Sequence, residues 1–550
     1  MTQGKNIVLC SDGTGNTANK GRGTNVWKVF EAVDLNGHKE NRNLKRQVAF
    51  YDDGVGTERM TLLKLITGAV GIGLKRNVKQ LYTELCRAYA AGDDLYLFGF
   101  SRGAFTVRTL AGLIEKCGIV ETHPRATPDD PVSAAQAPAP RPPIDDAALE
   151  TLVDEAYRQF RKHFRRPWSD RLHAWLPFSS SAEAATAAFR RRHAVKHPVH
   201  APDGTPKIRF VGVWDTVDAV GLPIDELAGL MNAFWPYKFP DRKLGTHVRK
   251  GCHALAIDDE RRSFHPTMWD ETGEGESENR IEQVWFAGVH SNVGGGYPKQ
   301  GLSLVSLCWM MQKAQREDLR FLDDSFRRYR ERTNAGDKLY DSRAGLAIYY
   351  RYSPRDIAEL CLENGIAEPK VHVSVLQRTA QGTEGYAPGN LPGSFGVVPF
   401  DPDRRLAGEE PAALEAVVRE ISGGRPESRP LLLDRSEVRR WIWTRRLSHY
   451  ALLVATLVVF ALAGAVEPPR PDSTTALKLL YAALSSLPLL GERLYAVVVG
   501  SYGWLLLVLA ALFLIGETAR RRLTRLFSRF WRASLRRDWD AAKPARNEAA

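Results

Sequence analysis

Three residues of the 550-residue chain have the types needed to cleave an ester together: Ser101, Asp215 and His290. A serine hydroxyl is a weak nucleophile until a neighbouring imidazole takes its proton. A carboxylate then fixes the tautomer of that imidazole and steadies its positive charge. Ser101 stands in GFSRG at 99–103, a G-x-S-x-G pattern. Residues 95–100 (LYLFGF) before it read as a buried strand, and Ala104, Val107, Ala111 and Ile114 after it recur at helical spacing. Strand, tight turn and helix with serine at the turn is the setting of a nucleophile elbow. The plainer reading is a glycine-rich turn with an incidental serine.

Asp215 and His290 also follow apolar runs, IRFVGVW at 208–214 and VWFAGV at 284–289. A carboxylate just past a buried strand lies on the edge where open α/β sheets bind their ligands. Plainer roles exist for both, a turn aspartate and a hydrogen-bonded structural histidine. The order Ser…Asp…His is that of α/β-hydrolases and differs from the chymotrypsin and subtilisin orders. Asp218, Asp258 and Asp259 are rival acids; Asp215 is preferred because its strand signal is the cleanest. Ser101 would attack, His290 would act as base and then acid, and Asp215 would orient His290. The backbone N–H of Arg102 is the expected oxyanion donor, because it follows the nucleophile. A second donor is expected in the loop DGTGN at 12–16, at Gly13. That loop also fits a phosphate-binding turn of the sugar-kinase kind, whose fuller pattern does not recur in the chain.

These residues need a sheet to hold them. Residues 6–11 (NIVLCS) and 47–51 (QVAFY) read as two further strands, and 77–91 as an amphipathic helix. GAVGIGLK at 68–75 lacks the P-loop order of lysine and hydroxyl residue and reads as a helix start. Alternating strands and helices predict an α/β fold, a mostly parallel α/β-hydrolase-like sheet flanked by helices. Residues 123–143 are Pro/Ala-rich. Residues 147–200 look helical and carry Phe160, Phe164, Trp168, Trp175, Leu176 and Phe178 among many arginines. They read as an ordinary insertion or, more sharply, as a lid touching lipid.

Near the C-terminus, residues 450–466 and 494–515 are uncharged apolar runs. Arg439, Arg440, Arg445 and Arg446 precede the first; Arg520, Arg521, Arg522 and Arg525 follow the second. Two transmembrane helices are expected, with both flanks in the cytoplasm by the positive-inside rule. The basic tail beyond them would lie along the inner leaflet. The expected domains are a catalytic unit at 1–440 with an insertion at 121–205, a membrane hairpin at 441–525 and a tail at 526–550. The net charge of +12 is then read as membrane topology, and no nucleic-acid partner is expected. The six scattered cysteines form no C-x-x-C pair and read as buried thiols. No metal or organic cofactor is implied. The N-terminus lacks the pattern of a signal peptide, so the catalytic unit is expected in the cytosol.

IVLCSDGTGN at 7–16, YDDGVGT at 51–57, GFSRGAF at 99–105, VGVWDTV at 211–217, HALAIDDERRSF at 253–264 and WFAGVHSNVGGGYP at 285–298 supply a resemblance. With these stretches the chain resembles the uncharacterised α/β-hydrolase family that includes the catalytic domain of type VI secretion lipase effectors of the first class. The resemblance implies a phospholipase or esterase, with a triad at Ser101, Asp215 and His290. Asn292 stands where the secreted effectors usually have aspartate. The leading expectation is a serine hydrolase of membrane lipid esters, resident in the bacterial inner membrane. The alternative is a non-catalytic membrane-bound scaffold or sensor that keeps the fold.

Overall fold

The computed structural model describes residues 4–13, 23–53, 69–122, 144–163, 182–195, 208–217, 242–274, 279–392, 394–400, 435–465 and 502–542, with residues 478, 481, 495–497 and 499. An eight-stranded sheet organises them. Its strands are β1 (Asn6–Ser11), β2 (Gln47–Asp52), β3 (Asp94–Phe100), β4 (Ile208–Trp214), β5 (Val248–Ala256), β6 (Ile281–Phe286), β7 (Lys370–His372) and β8 (Gly396–Val398). They lie in the order 2-1-3-4-5-6-7-8, and every neighbouring pair is parallel. A parallel sheet is covered on both faces, which is why β1, β3 and β4 are nearly unbroken apolar runs.

Successive side chains of a strand point to opposite faces. Ile7 and Leu9 therefore join one core, with Val78 and Leu81 of α2 (Ala69–Ala88) and Val107 and Leu110 of α3 (Arg102–Cys117). Val8 and Cys10 join the other, with Val26 and Val29 of α1 (Asn25–Ala32) and Met310 of a helix over Gly301–Gln315. Helices α4 (Asp146–Arg161) and α5 (Ala182–His193) belong to the insertion. Leu149, Val153, Phe160 and Phe189 of these helices extend the first core. Tyr157, a further described aromatic residue of α4, joins the same core. Phe164, Trp168, Trp175, Leu176 and Phe178 lie outside the described residues, as do Gly15, Asp218 and 54–57 of the YDDGVGT stretch.

The segment 371–376, strand-like in sequence, is only briefly a strand: β7 ends at His372 and a helix runs from Val373 to Gln381. All six cysteines are buried and free. Two long C-terminal helices, α6 (Arg435–Ala465) and α7 (Trp504–Ala542), pack together around Val459, Ala463 and Leu505. Among the described residues, one helix, over Ser436–Ala463, is long and apolar enough to cross a membrane. The second apolar run, 494–515, falls partly outside the described residues.

Candidate active site

The doubly wound order reverses between β1 and β3, and open α/β sheets bind ligands at the carboxyl ends of the strands beside such a reversal. Ser101 is found there, immediately after β3. Its backbone has φ 58° and ψ −123°, a conformation that L residues rarely adopt and that costs about 1–3 kcal/mol. Two backbone hydrogen bonds fix the turn: the Ser101 N–H donates to Trp214 O at 3.1 Å, and the Phe105 N–H donates to Ser101 O at 3.3 Å. The next turn of α3 presses on the end of β1. A Cβ on Gly103 would lie 2.1 Å from Ser11 O and 2.5 Å from Asp12 O, so only glycine fits.

Asp215 follows β4 and is fully buried. Its Oδ2 accepts from His290 Nδ1 at 2.5 Å. The His290 ring lies 4.6 Å from the ring of Phe100, the residue before Ser101, and 5.1 Å edge-on to Phe264. His290 Nε2 is buried and has no hydrogen-bond partner among the described residues. Burial lowers the imidazole pKa below its usual value, opposed by Asp215. The ring is thus held neutral, fixed at one nitrogen and free to take a proton at the other. Burial alone would raise the Asp215 carboxyl, but Arg355 and His290 outweigh it and hold it far below the usual carboxylate range.

A model of the type VI secretion phospholipase effector Tle1-like catalytic domain matches residues 5–313. The chain belongs to that family. It is also 27% identical over 278 residues to the uncharacterised protein YEL023C of Saccharomyces cerevisiae, covering 48% of this chain and 32% of that one. The chain thus spans about a third of the length of this curated relative. Among solved structures, an uncharacterised protein from Pseudomonas aeruginosa is 14% identical with a TM-score of 0.31, covering 94% of this chain and 67% of that one. The Tle1 effector bound to the VgrG spike of the type VI secretion system is 14% identical with a TM-score of 0.25, covering 54% and 52%.

The rival acids of this Tle1-like domain have other partners. Asp259 Oδ2 accepts from the His290 backbone N–H at 3.1 Å, and its two oxygens take Arg261 Nε at 2.9 Å and Nη2 at 2.7 Å. Asp258 accepts from the Gly288 N–H at 2.6 Å and from the Tyr386 hydroxyl at 3.0 Å. Of the three described candidates, Asp215 alone meets the imidazole of His290.

The residue that sequence reasoning missed is Arg355. Fully buried, it grips Asp215 with both guanidinium arms, Nη1 to Oδ1 at 2.7 Å and Nη2 to Oδ2 at 2.8 Å. It also donates to the carbonyls of Ala256 and Phe264. The Ala256 N–H gives Asp215 Oδ1 a further bond at 3.0 Å. Arg355 lies beyond the matched residues 5–313, in a stretch with no motif around it.

Two other expectations gain detail. Arg102 begins α3, and burial lowers its guanidinium pKa to about 10. The Gly13 N–H donates to Asp12 Oδ1 at 2.6 Å, while Asp12 Oδ2 accepts from Thr24 Oγ1 at 2.5 Å and Tyr51 OH at 2.6 Å. Asn292 ties the loop after His290 to residues 338–340: its Nδ2 donates to Lys338 O at 3.1 Å and its Oδ1 accepts from the Tyr340 N–H at 3.2 Å. An aspartate there would keep the acceptor and lose the donor. Among the described residues no group of three or more His, Cys, Asp or Glu side chains could hold a metal ion.

Proposed function

We propose that this chain is a serine-dependent hydrolase of membrane lipid esters, of the phospholipase A kind, working through Ser101, His290 and Asp215. The observation that carries the reading is the 2.5 Å Asp215–His290 bond beside the strained turn at Ser101. Membership of a phospholipase effector family supports a lipid ester as substrate. In this mechanism Ser101 Oγ attacks the ester carbonyl carbon as His290 Nε2 takes its proton. The tetrahedral oxyanion is met by the Arg102 N–H, and by the Gly13 N–H once it turns from Asp12. Collapse breaks the bond to the alcohol, which leaves with the proton of His290. Water, deprotonated by His290, then releases the fatty acid and restores Ser101. Loss of one oxyanion donor would cost about a hundred- to a thousandfold in rate.

The membrane part of the reading rests on where apolar surface remains. Among the described residues, every exposed large hydrophobic other than Leu35, Leu322 and Leu362 lies between Trp443 and Ile515. Such concentrated apolar surface marks a membrane or protein interface, and the arginines beside it favour the inner leaflet. The catalytic unit and C-terminus would then face the cytoplasm.

Ser101→Ala should lower phospholipid hydrolysis by at least about 10⁴-fold and abolish labelling by a fluorophosphonate. A variant that labels and turns over like the parent refutes the assignment. For topology, a reporter active only outside the cytoplasm should be silent after Ala550 and active near Ser473; the reverse pattern refutes the orientation.

A further inference from the structure

The acid and the base of the site are held by two segments that pair with each other. Residues 258–262 follow β5, and residues 350–356 run beside them. Arg261 and Tyr352 form an antiparallel bridge, the Arg262 N–H donates to Arg351 O at 3.0 Å, and the Ser353 N–H donates to Glu260 O at 2.7 Å. The first segment carries Asp259, which holds the backbone of His290. The second carries Arg355, which holds the carboxylate of Asp215. Any shift of one strand of this clip against the other therefore shifts Asp215 against His290.

A single side chain of the C-terminal helix α6 touches both strands. Arg445 binds Glu260 through two parallel bonds, Nη1 to Oε1 at 2.9 Å and Nη2 to Oε2 at 2.6 Å. Its guanidinium also lies over the Tyr352 ring, 4.0 Å from the centroid. The Arg445 side chain is 7% exposed, far from the freely solvated arginine that charge pattern alone suggests. A planar fork stacked on an aromatic ring fixes direction as well as distance, which a lysine in the same position would not do.

We propose that Arg445 is a positioning residue for the hydrolase: through Glu260 and Tyr352 it keeps the clip closed and so keeps Asp215 in line with His290. Helix α6 is then part of the catalytic unit and not a tether alone. This inference rests on the Ser101–His290–Asp215 reading above, and its test separates the two.

The full chain in detergent, assayed on p-nitrophenyl butyrate, is compared with Arg445→Glu, Glu260→Arg, the double variant carrying both, and Arg445→Lys. Each charge reversal should lower kcat at least about tenfold with KM within about twofold, because alignment is lost while the acyl site is untouched. The double variant should regain most of the lost kcat, as expected for residues in contact. Arg445→Lys should fall between parent and Arg445→Glu. Parent-like kcat in both single variants, or a double variant no better than the worse single one, overturns the proposal. If charge reversal prevents folding, Arg445→Gln replaces it, and a parent-like kcat there also overturns it. Turnover surviving in Ser101→Ala refutes the hydrolase reading itself; a dead Ser101→Ala beside parent-like Arg445 variants refutes only the role of Arg445.

Discussion

The turn at Ser101 and the pair Asp215–His290 share one sheet edge but are held in opposite ways. The turn is locked by near neighbours: the adjacent strand end at Trp214, and the carbonyls of Ser11 and Asp12 against Gly103. The pair is held from a distance in sequence, by Arg355, 140 residues beyond Asp215. One half of the site is made by the sheet itself. The other half is completed by a segment that the sheet does not contain, Arg355 joining the Ala256 N–H at the end of β5. The family match over residues 5–313 thus covers Ser101, Asp215 and His290 but not Arg355.

That contrast can be broken from either side. The largest effect is expected at Arg355→Met, which leaves the buried Asp215 carboxylate without its cationic partner. Removing one partner of a buried ion pair costs about 3–5 kcal/mol, read as a lower midpoint in denaturant. Because Asp215 loses its fixed orientation, kcat should fall by about 10²-fold as well. On the other side, Gly103→Ala drives a methyl group into Ser11 O and should cost about 1–3 kcal/mol. Parent stability in Gly103→Ala would mean that the close approach of α3 to β1 does not hold the turn.

The finest break concerns pH. Burial raises the Asp258 carboxyl from 3.8 to about 6. Between those values the folded protein binds a proton that the unfolded chain has released. Its stabilising share is therefore complete at low pH and is lost as pH rises through about 6. Asp258→Asn should flatten the stability profile in that window, measured by denaturant midpoints across the range. An unchanged profile would assign the slope to another group.

Much of the first half of the site was legible because buried parallel strands write themselves as apolar runs. Residues 6–11 and 208–214 match β1 and β4, and the turn at Ser101 follows β3 as its motif requires. Asp215 was separable from Asp258 and Asp259 only by strand quality; its carboxylate is the one that meets the His290 imidazole. Arg355 was not legible. It is one of 76 lysines and arginines, and nothing in its local pattern distinguishes a buried arginine from a solvated one. The same holds for Arg445, which reads as a flanking charge of an apolar run and yet lies against Glu260. The last strands, β7 and β8, have three residues each, too few to carry a periodicity.

The strand order has a consequence for how the protein is made. Strands β1 to β6 are synthesised by residue 286, but among the described residues the outer edge of β6 is paired by β7 alone, at residues 370–372. Until then β6 is an apolar, unpaired edge, the kind of surface that recruits foreign strands. Domains fold largely as they are synthesised, N-terminal parts first, so the nascent chain carries this open edge through more than the next eighty residues. Slowing translation between residues 286 and 372 should therefore favour aggregation more than slowing it after β7, and chaperone dependence should fall once Val371 has joined the sheet.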